Sequence, residues 1–141
     1  MLLDFTVSNW RLFTEPVSLS LQATKEQQHG ERLTRLKKFG IRLLPNAILF
    51  GGNASGKSAF ITSIEFMKNF VTNWNDHFLS RNLEPNKYDV KLQEKPSHFA
   101  VTLYLDDDLY EYSFSCTRRL VLEEQLSRSN SNSAYVLFHR E

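Results

Sequence analysis

Apolar and polar positions alternate along most of this chain, and the period switches to that of a helix once. Leu3, Phe5 and Val7 alternate with Asp4, Thr6 and Ser8, and Val17, Leu19 and Leu21 with Ser18, Ser20 and Gln22. A period of two predicts two half-buried strands, joined through Asn9 to Pro16 as a hairpin. Residues 23–31 are polar, contain Gly30 and read as a loop. Ala47-Ile48-Leu49-Phe50, opened by Pro45-Asn46, is a short apolar run that predicts a buried strand. Phe60, Ile61, Ile64, Met67, Val71 and Trp74 recur at helical spacing, with Phe66 and Phe70 widening the stripe. They predict an amphipathic helix from Lys57 to about Trp74. Residues 75–97 read as irregular, broken by Pro85 and Pro96. Alternation then returns at Phe99, Val101, Leu103 and Leu105, and again at Tyr110, Tyr112 and Phe114, with Asp106-Asp107-Asp108 as the turn between. Leu120, Leu122 and Leu126 mark a third strand, Ser127 to Ser133 a polar loop, and Tyr135 to Phe138 a last strand.

The predicted strand and helix flank Gly51-Gly52-Asn53-Ala54-Ser55-Gly56-Lys57-Ser58, which fits G-x-x-x-x-G-K-[ST], the phosphate-binding P-loop. Strand, glycine loop and amphipathic helix form the context this motif needs. Glycines let the backbone turn with positive φ and approach an anion closely. Consecutive N–H groups would ring the β-phosphate, backed by the positive end of the helix that continues through Ala59. Lys57 would reach the β- and γ-phosphates, and Ser58 would offer its hydroxyl to a Mg²⁺ bridging them.

Composition narrows the setting. With 41% hydrophobic and 23% charged residues, the 141-residue chain can build one ordinary core. A formal net charge of +1 gives no global field for nucleic acid or a membrane surface. Cys116 is the sole cysteine, which permits no intrachain disulfide and no cysteine-based zinc site and suits a reducing cytoplasm. Asp4 interrupts Met1-Leu2-Leu3, so there is no signal-peptide core, and no stretch is long enough to span a bilayer.

Other candidate groups read more simply. Arg32, Arg35, Lys37, Lys38 and Arg42 could meet nucleic-acid phosphates or an acidic partner, but near-neutral charge favours a solvated basic loop with Leu33, Leu36 and Phe39 tucked inward. His29, His77, His98 and His139 lack ligand spacing. Cys116 has no histidine near in sequence and reads as a small apolar filler. Phe99, Tyr104, Tyr110, Tyr112 and Phe114 could stack bases, but their period favours a sheet's packing face.

The order of elements carries a resemblance. At least one strand pair precedes the P-loop and an antiparallel set follows its helix, which resembles the first lobe of ABC-class ATPases, the group that includes the RecF and SMC proteins. Leu3-x-Phe5-x-Val7-x-Asn9-Trp10-Arg11-x-Phe13 resembles that group's F-x-V-x-N-F-R-S-F opening, with Trp10 for the usual Phe and Leu12 for the usual Ser. Phe50 to Ser58 resembles the G-x-N-A-S-G-K-S loop of RecF-like AAA-family ATP-binding proteins of bacteria, many of which sit in phage-defence systems beside a nuclease or other effector. The resemblance implies an α/β fold: a P-loop NTPase lobe of ABC-ATPase type with a parallel core strand, one main helix and an antiparallel β-subdomain. It implies that residues 1–141 are one lobe. The signature motif, the Walker B strand and the switch histidine would lie in a second lobe, so the chain reads as part of a longer protein or a natural truncation. It implies ATP and Mg²⁺, hydrolysis in a full-length homodimer closing on two nucleotides, and an isolated chain that turns over ATP poorly. Rival readings are a module that senses nucleotide without turnover and a small-molecule P-loop kinase. Arg11 falls where the family's Asn-Phe-Arg stretch lies close to nucleotide, so it would contact ligand or else make a surface salt bridge. Val101-Thr102-Leu103-Tyr104-Leu105-Asp106-Asp107 superficially fits a Walker B strand, but its alternation and the matching strand after it favour a hairpin.

Overall fold

The computed structural model describes residues 1–25 and 29–141. Strands β1 (Leu2–Ser8), β2 (Val17–Ser20), β5 (Ser97–Leu105), β6 (Asp108–Cys116), β7 (Val121–Ser129) and β8 (Ala134–Arg140) form one sheet in the order β2-β1-β5-β6-β7-β8. Every neighbouring pair is antiparallel. A separate two-stranded sheet joins β3 (Thr34–Leu36) to β4 (Ile41–Leu43). Helix α1 spans Lys57–Thr72, and two short helices, α2 (Phe78–Asn82) and α3 (Val90–Gln93), lie in the stretch expected to be irregular. The last polar loop is shorter than expected, because β7 runs on to Ser129.

Helix α1 covers one face of the sheet. Phe60, Phe66, Met67 and Phe70 are buried against Phe5 and Val7 of β1, Phe99 of β5, and Phe114 and Cys116 of β6. The rings of Phe70 and Phe114 stack with centroids 4.0 Å apart, and those of Phe66 and Phe99 at 4.9 Å. The expected apolar stripe is therefore rotated: Ile61 and Val71 are 55% and 60% exposed, while the small polar Ser63 is fully buried. Ser63 fits because its hydroxyl donates to the Phe60 carbonyl at 2.6 Å, which satisfies it inside the helix. A bulge in β1 between Leu2 and Asp4 separates the two cores. Leu3 packs with Leu36 and Leu43 under the β3–β4 hairpin, while Phe5 and Val7 stay under α1. Leu36 and Phe39 of the basic stretch face inward there, as the sequence predicts, whereas Leu33, expected with them, is half-buried and outside that cluster.

The predicted parallel core strand is corrected. Residues 47–50 form no strand, and Ile48 and Phe50 are 71% and 87% exposed. A strand exists only through a neighbour that takes its N–H and C=O groups. Here the sheet is antiparallel throughout, and among the described residues none of its strands pairs with this run.

The hairpin after β5 is as expected. Asp106 and Asp107 have φ of 47° and 66°, the paired left-handed conformation of a type I′ turn, and Leu105 pairs with Asp108 across it. Asp108 is 4% exposed. Lys38 Nζ and Arg128 Nε each donate to its carboxylate at 2.7 Å, fastening the basic hairpin to the main sheet. Those two donors hold the Asp108 carboxyl below its usual range, against the opposing effect of burial.

Candidate functional site

Gly56 ends the glycine loop and opens α1 with φ of 100°. Among the described residues no side chain caps this terminus, and no acidic residue occupies its first turn, so its leading N–H groups have no side-chain acceptor there. The loop is tight at two glycines for different reasons. A Cβ on Gly51 would stand 2.3 Å from Ser55 Oγ, and one on Gly56 would stand 2.9 Å from Phe13 Cε1. Positive φ falls on Gly56 and Ala54 (62°) rather than on the first two glycines. Lys57 folds back over the loop, its Nζ donating to the carbonyls of Gly51 and Gly52 at 2.6 Å each and to Ser55 Oγ at 3.3 Å. Ser58 is exposed.

The β1–β2 turn braces this loop. Asn9, 3% exposed and at φ 50°, donates through Nδ2 to the carbonyls of Leu92, Lys95 and Pro96, and its Oδ1 accepts from the Asn86 N–H at 3.0 Å. Trp10 is buried and its Nε1 donates to the Ala59 carbonyl at 2.8 Å, fixing the first turn of α1 to the sheet. Phe13 and Leu12 close over Gly56.

The turn also carries Arg11 to the loop's open side. A cleft of about 480 Å³ is lined by Arg11, Leu12, Asn53, Ala54, Ser55, Gly56, Lys57, Ser58, Ala59, Glu84, Lys87 and Tyr88. Eight of the sequence-predicted residues therefore meet in one cleft; Gly51 and Gly52 do not line it but hold Lys57 through their carbonyls. Of the two roles the sequence left open for Arg11, the structure shows the salt bridge, made at the edge of the cleft. It borders the cleft, and its guanidinium pairs with Glu84 at 2.8 Å. Lys87 pairs with the other Glu84 oxygen at 3.1 Å. Burial pushes the Glu84 carboxyl up, but the hydrogen bonds and charges of Arg11 and Lys87 outweigh it and hold the carboxyl below its ordinary value.

Glu84, Lys87 and Tyr88 are the site residues that the sequence did not announce. They belong to no motif and reach the cleft through long-range backbone bonds, from the Arg11 N–H to the Glu84 carbonyl and from the Lys87 N–H to the Arg11 carbonyl. The other candidates stay apart. The four histidines are exposed. Among the described residues no cluster of three or more His, Cys, Asp or Glu forms. Cys116 is buried and its thiol is pushed up to about 12 by burial, which removes it as a nucleophile at neutral pH. Phe99 and Phe114 are core residues rather than a base-stacking surface. Asp106 and Asp107 sit past the far end of β5, whose near end bonds to Asn9 through Ser97. Eight steps of about 3.3 Å put them about 26 Å from that corner.

No helix is long and apolar enough to cross a membrane among the described residues. No curated protein matches the chain. One family model does, over residues 47–141, which take in the glycine loop, α1 and strands β5–β8. Its description is "AAA domain, putative AbiEii toxin, Type IV TA system". The match covers about two thirds of the sequence, so this chain belongs to that AAA-domain family and has its nucleotide-binding, ATPase-type character.

Proposed function

We propose that the cleft binds ATP with Mg²⁺. The observation that carries this reading is the uncapped start of α1 opening into a cleft with Lys57 and Arg11 beside it. The loop's amides would take the β-phosphate, and Lys57 would leave the Gly51 and Gly52 carbonyls for the β- and γ-phosphates. The exposed Ser58 hydroxyl suits a hard cation whose remaining ligands are phosphate oxygens and water. That ion would neutralise charge developing on the phosphates. Tyr88, 83% exposed, offers an aromatic face for the base.

In this reading residues 1–141 are one lobe of a RecF/SMC-like ATPase. Hydrolysis belongs to a full-length homodimer whose second lobe supplies Walker B and signature residues. Exposed Ile48, Leu49 and Phe50 support this, since they have the composition of a buried parallel strand without its neighbours. A place in phage defence beside a nuclease or other effector completes this reading; the family description itself names only a putative toxin of a Type IV TA system. Closure on the γ-phosphate would pass a conformational signal to that partner.

A nucleotide sensor without turnover is the second reading. It is favoured by the cleft's carboxylate inventory: Glu84 is paired twice, and Asp106 and Asp107 lie in a distant turn. Titration with ATP and GTP, following both binding and phosphate release, tests both. ATP binding with slow release by these 141 residues and fast release by a two-lobe protein fits the ATPase; binding without release in either fits the sensor. No binding to either nucleotide defeats both.

A further inference from the structure

Two cations and one carboxylate occupy the side of the cleft that faces the glycine loop. Each Glu84 oxygen holds one cation: Oε1 takes Arg11 at 2.8 Å and Oε2 takes Lys87 at 3.1 Å. Neither pair is sealed from water, with side-chain exposures of 34%, 33% and 62% for Arg11, Glu84 and Lys87. Such pairs are weak and exchangeable. The guanidinium is also under-used, because Arg11 Nε is buried and has no hydrogen-bond partner among the described residues. A phosphate group accepts such a fork in pairs of N–H···O bonds, which a carboxylate already shared with a lysine does not do here.

Beneath the side chains the scaffold is fixed independently. The Arg11 and Lys87 amides bond to the Glu84 and Arg11 carbonyls at 2.8 and 3.2 Å, and Asn9 and Asn86 lock the same two segments. The ion pairs can therefore break without the segments parting.

We propose that Glu84 is the cleft's internal counter-anion: it holds Arg11 and Lys87 while the cleft is empty, and a polyphosphate chain displaces it from both. Glu84 thereby competes with the ligand and sets its affinity. This rests on the cleft being the phosphate site of the proposed function. The lowered titration range of Glu84 keeps the competitor charged at neutral pH.

The test uses ATP and inorganic tripolyphosphate as probes, at low salt, on the whole chain. Glu84→Gln keeps the shape and one acceptor but removes the charge. It should tighten both probes by about three- to tenfold, because Arg11 and Lys87 no longer have to be pulled from a charged partner. The tightening should not come from relief of repulsion alone. In an Arg11→Ala, Lys87→Ala background, where no cation is left to release, it should shrink; a gain that persists there in full marks plain like-charge repulsion and overturns the inference. In the unaltered protein the Arg11 Nε resonance should shift when tripolyphosphate is added, a reading that does not depend on any variant folding. Equal or weaker binding by Glu84→Gln, with ATP still bound by the unaltered protein, overturns the inference and leaves Glu84 as a positioning residue. An unmoved Arg11 resonance under saturating tripolyphosphate overturns it too. Failure of the unaltered protein to bind either probe overturns the phosphate-site reading itself and this inference with it.

Discussion

Replacing Gly56 with alanine separates backbone strain from side-chain crowding at the hinge between loop and helix. Gly56 sits at φ 100°, ψ −1°, where an L-residue is strained by about 1–3 kcal/mol. The new Cβ would also stand 2.9 Å from Phe13 Cε1 and 3.2 Å from Leu12 Cδ1. Both are ends of side chains with some freedom, so relieving the overlap should cost only about 1 kcal/mol, the low end for overpacking. The sum is about 2–4 kcal/mol. An unfolding entropy of about 2.1 cal/mol/K per residue makes each kcal/mol worth about 3 °C for a chain of 141 residues. A thermal melt followed by circular dichroism should therefore fall by about 6–12 °C. Gly52→Ala is the internal control: its Cβ meets nothing within 4 Å and its φ is not in the strained region. It should change stability by less than about 1 kcal/mol. If Gly56→Ala melts with the unaltered protein, or if the two alanines behave alike, the argument from backbone geometry is wrong.

Trp10→Phe removes the buried Nε1 bond to the Ala59 carbonyl and should cost about 1–2 kcal/mol in a denaturant titration, whereas Trp10→Ala, which empties the core site, should cost about 3–5. Asp108 is held below its ordinary value of 3.8, so its ion pairs stabilise the fold above that value and are lost as pH falls through the lowered one. Asp108→Asn should accordingly be less stable at neutral pH, and the difference should close on acidification; a gap that stays constant with pH contradicts the assignment. Asp106→Asn and Asp107→Asn should leave stability and phosphate release essentially unchanged, because asparagine accepts the same left-handed turn. Loss of robust release in both variants would make Val101 to Asp107 a Walker B strand after all.

What the sequence revealed depends on the range over which each signal acts. Period-two alternation is local, so the β1–β2 and β5–β6 hairpins and the Asp106-Asp107 turn were legible. The face of α1 was less so: apolarity nominated Ile61 and Val71, while the real buried face includes Ser63, whose hydroxyl is satisfied within its own helix. The apolar run Ala47 to Phe50 shows the limit of composition, since whether it forms a strand is decided by a neighbouring strand that its own residues do not encode. The same holds at the cleft. The glycine loop, Lys57 and Ser58 announce themselves by spacing, but Glu84 and Lys87 lie more than 70 residues from Arg11 and are recruited by backbone bonds that follow no motif.

The central claim is that the loop from Gly51 to Ser58 is a phosphate site, and a calorimetric titration of Mg·ATP into the unaltered chain and Lys57→Ala tests it most directly. Among the described residues the Lys57 ammonium hydrogen-bonds only to the loop's own oxygens, so the variant should fold and melt like its parent. Losing a charge-assisted contact worth about 1.5–3 kcal/mol should weaken binding about ten- to a hundredfold. Equal affinity in the two folded proteins would contradict the account.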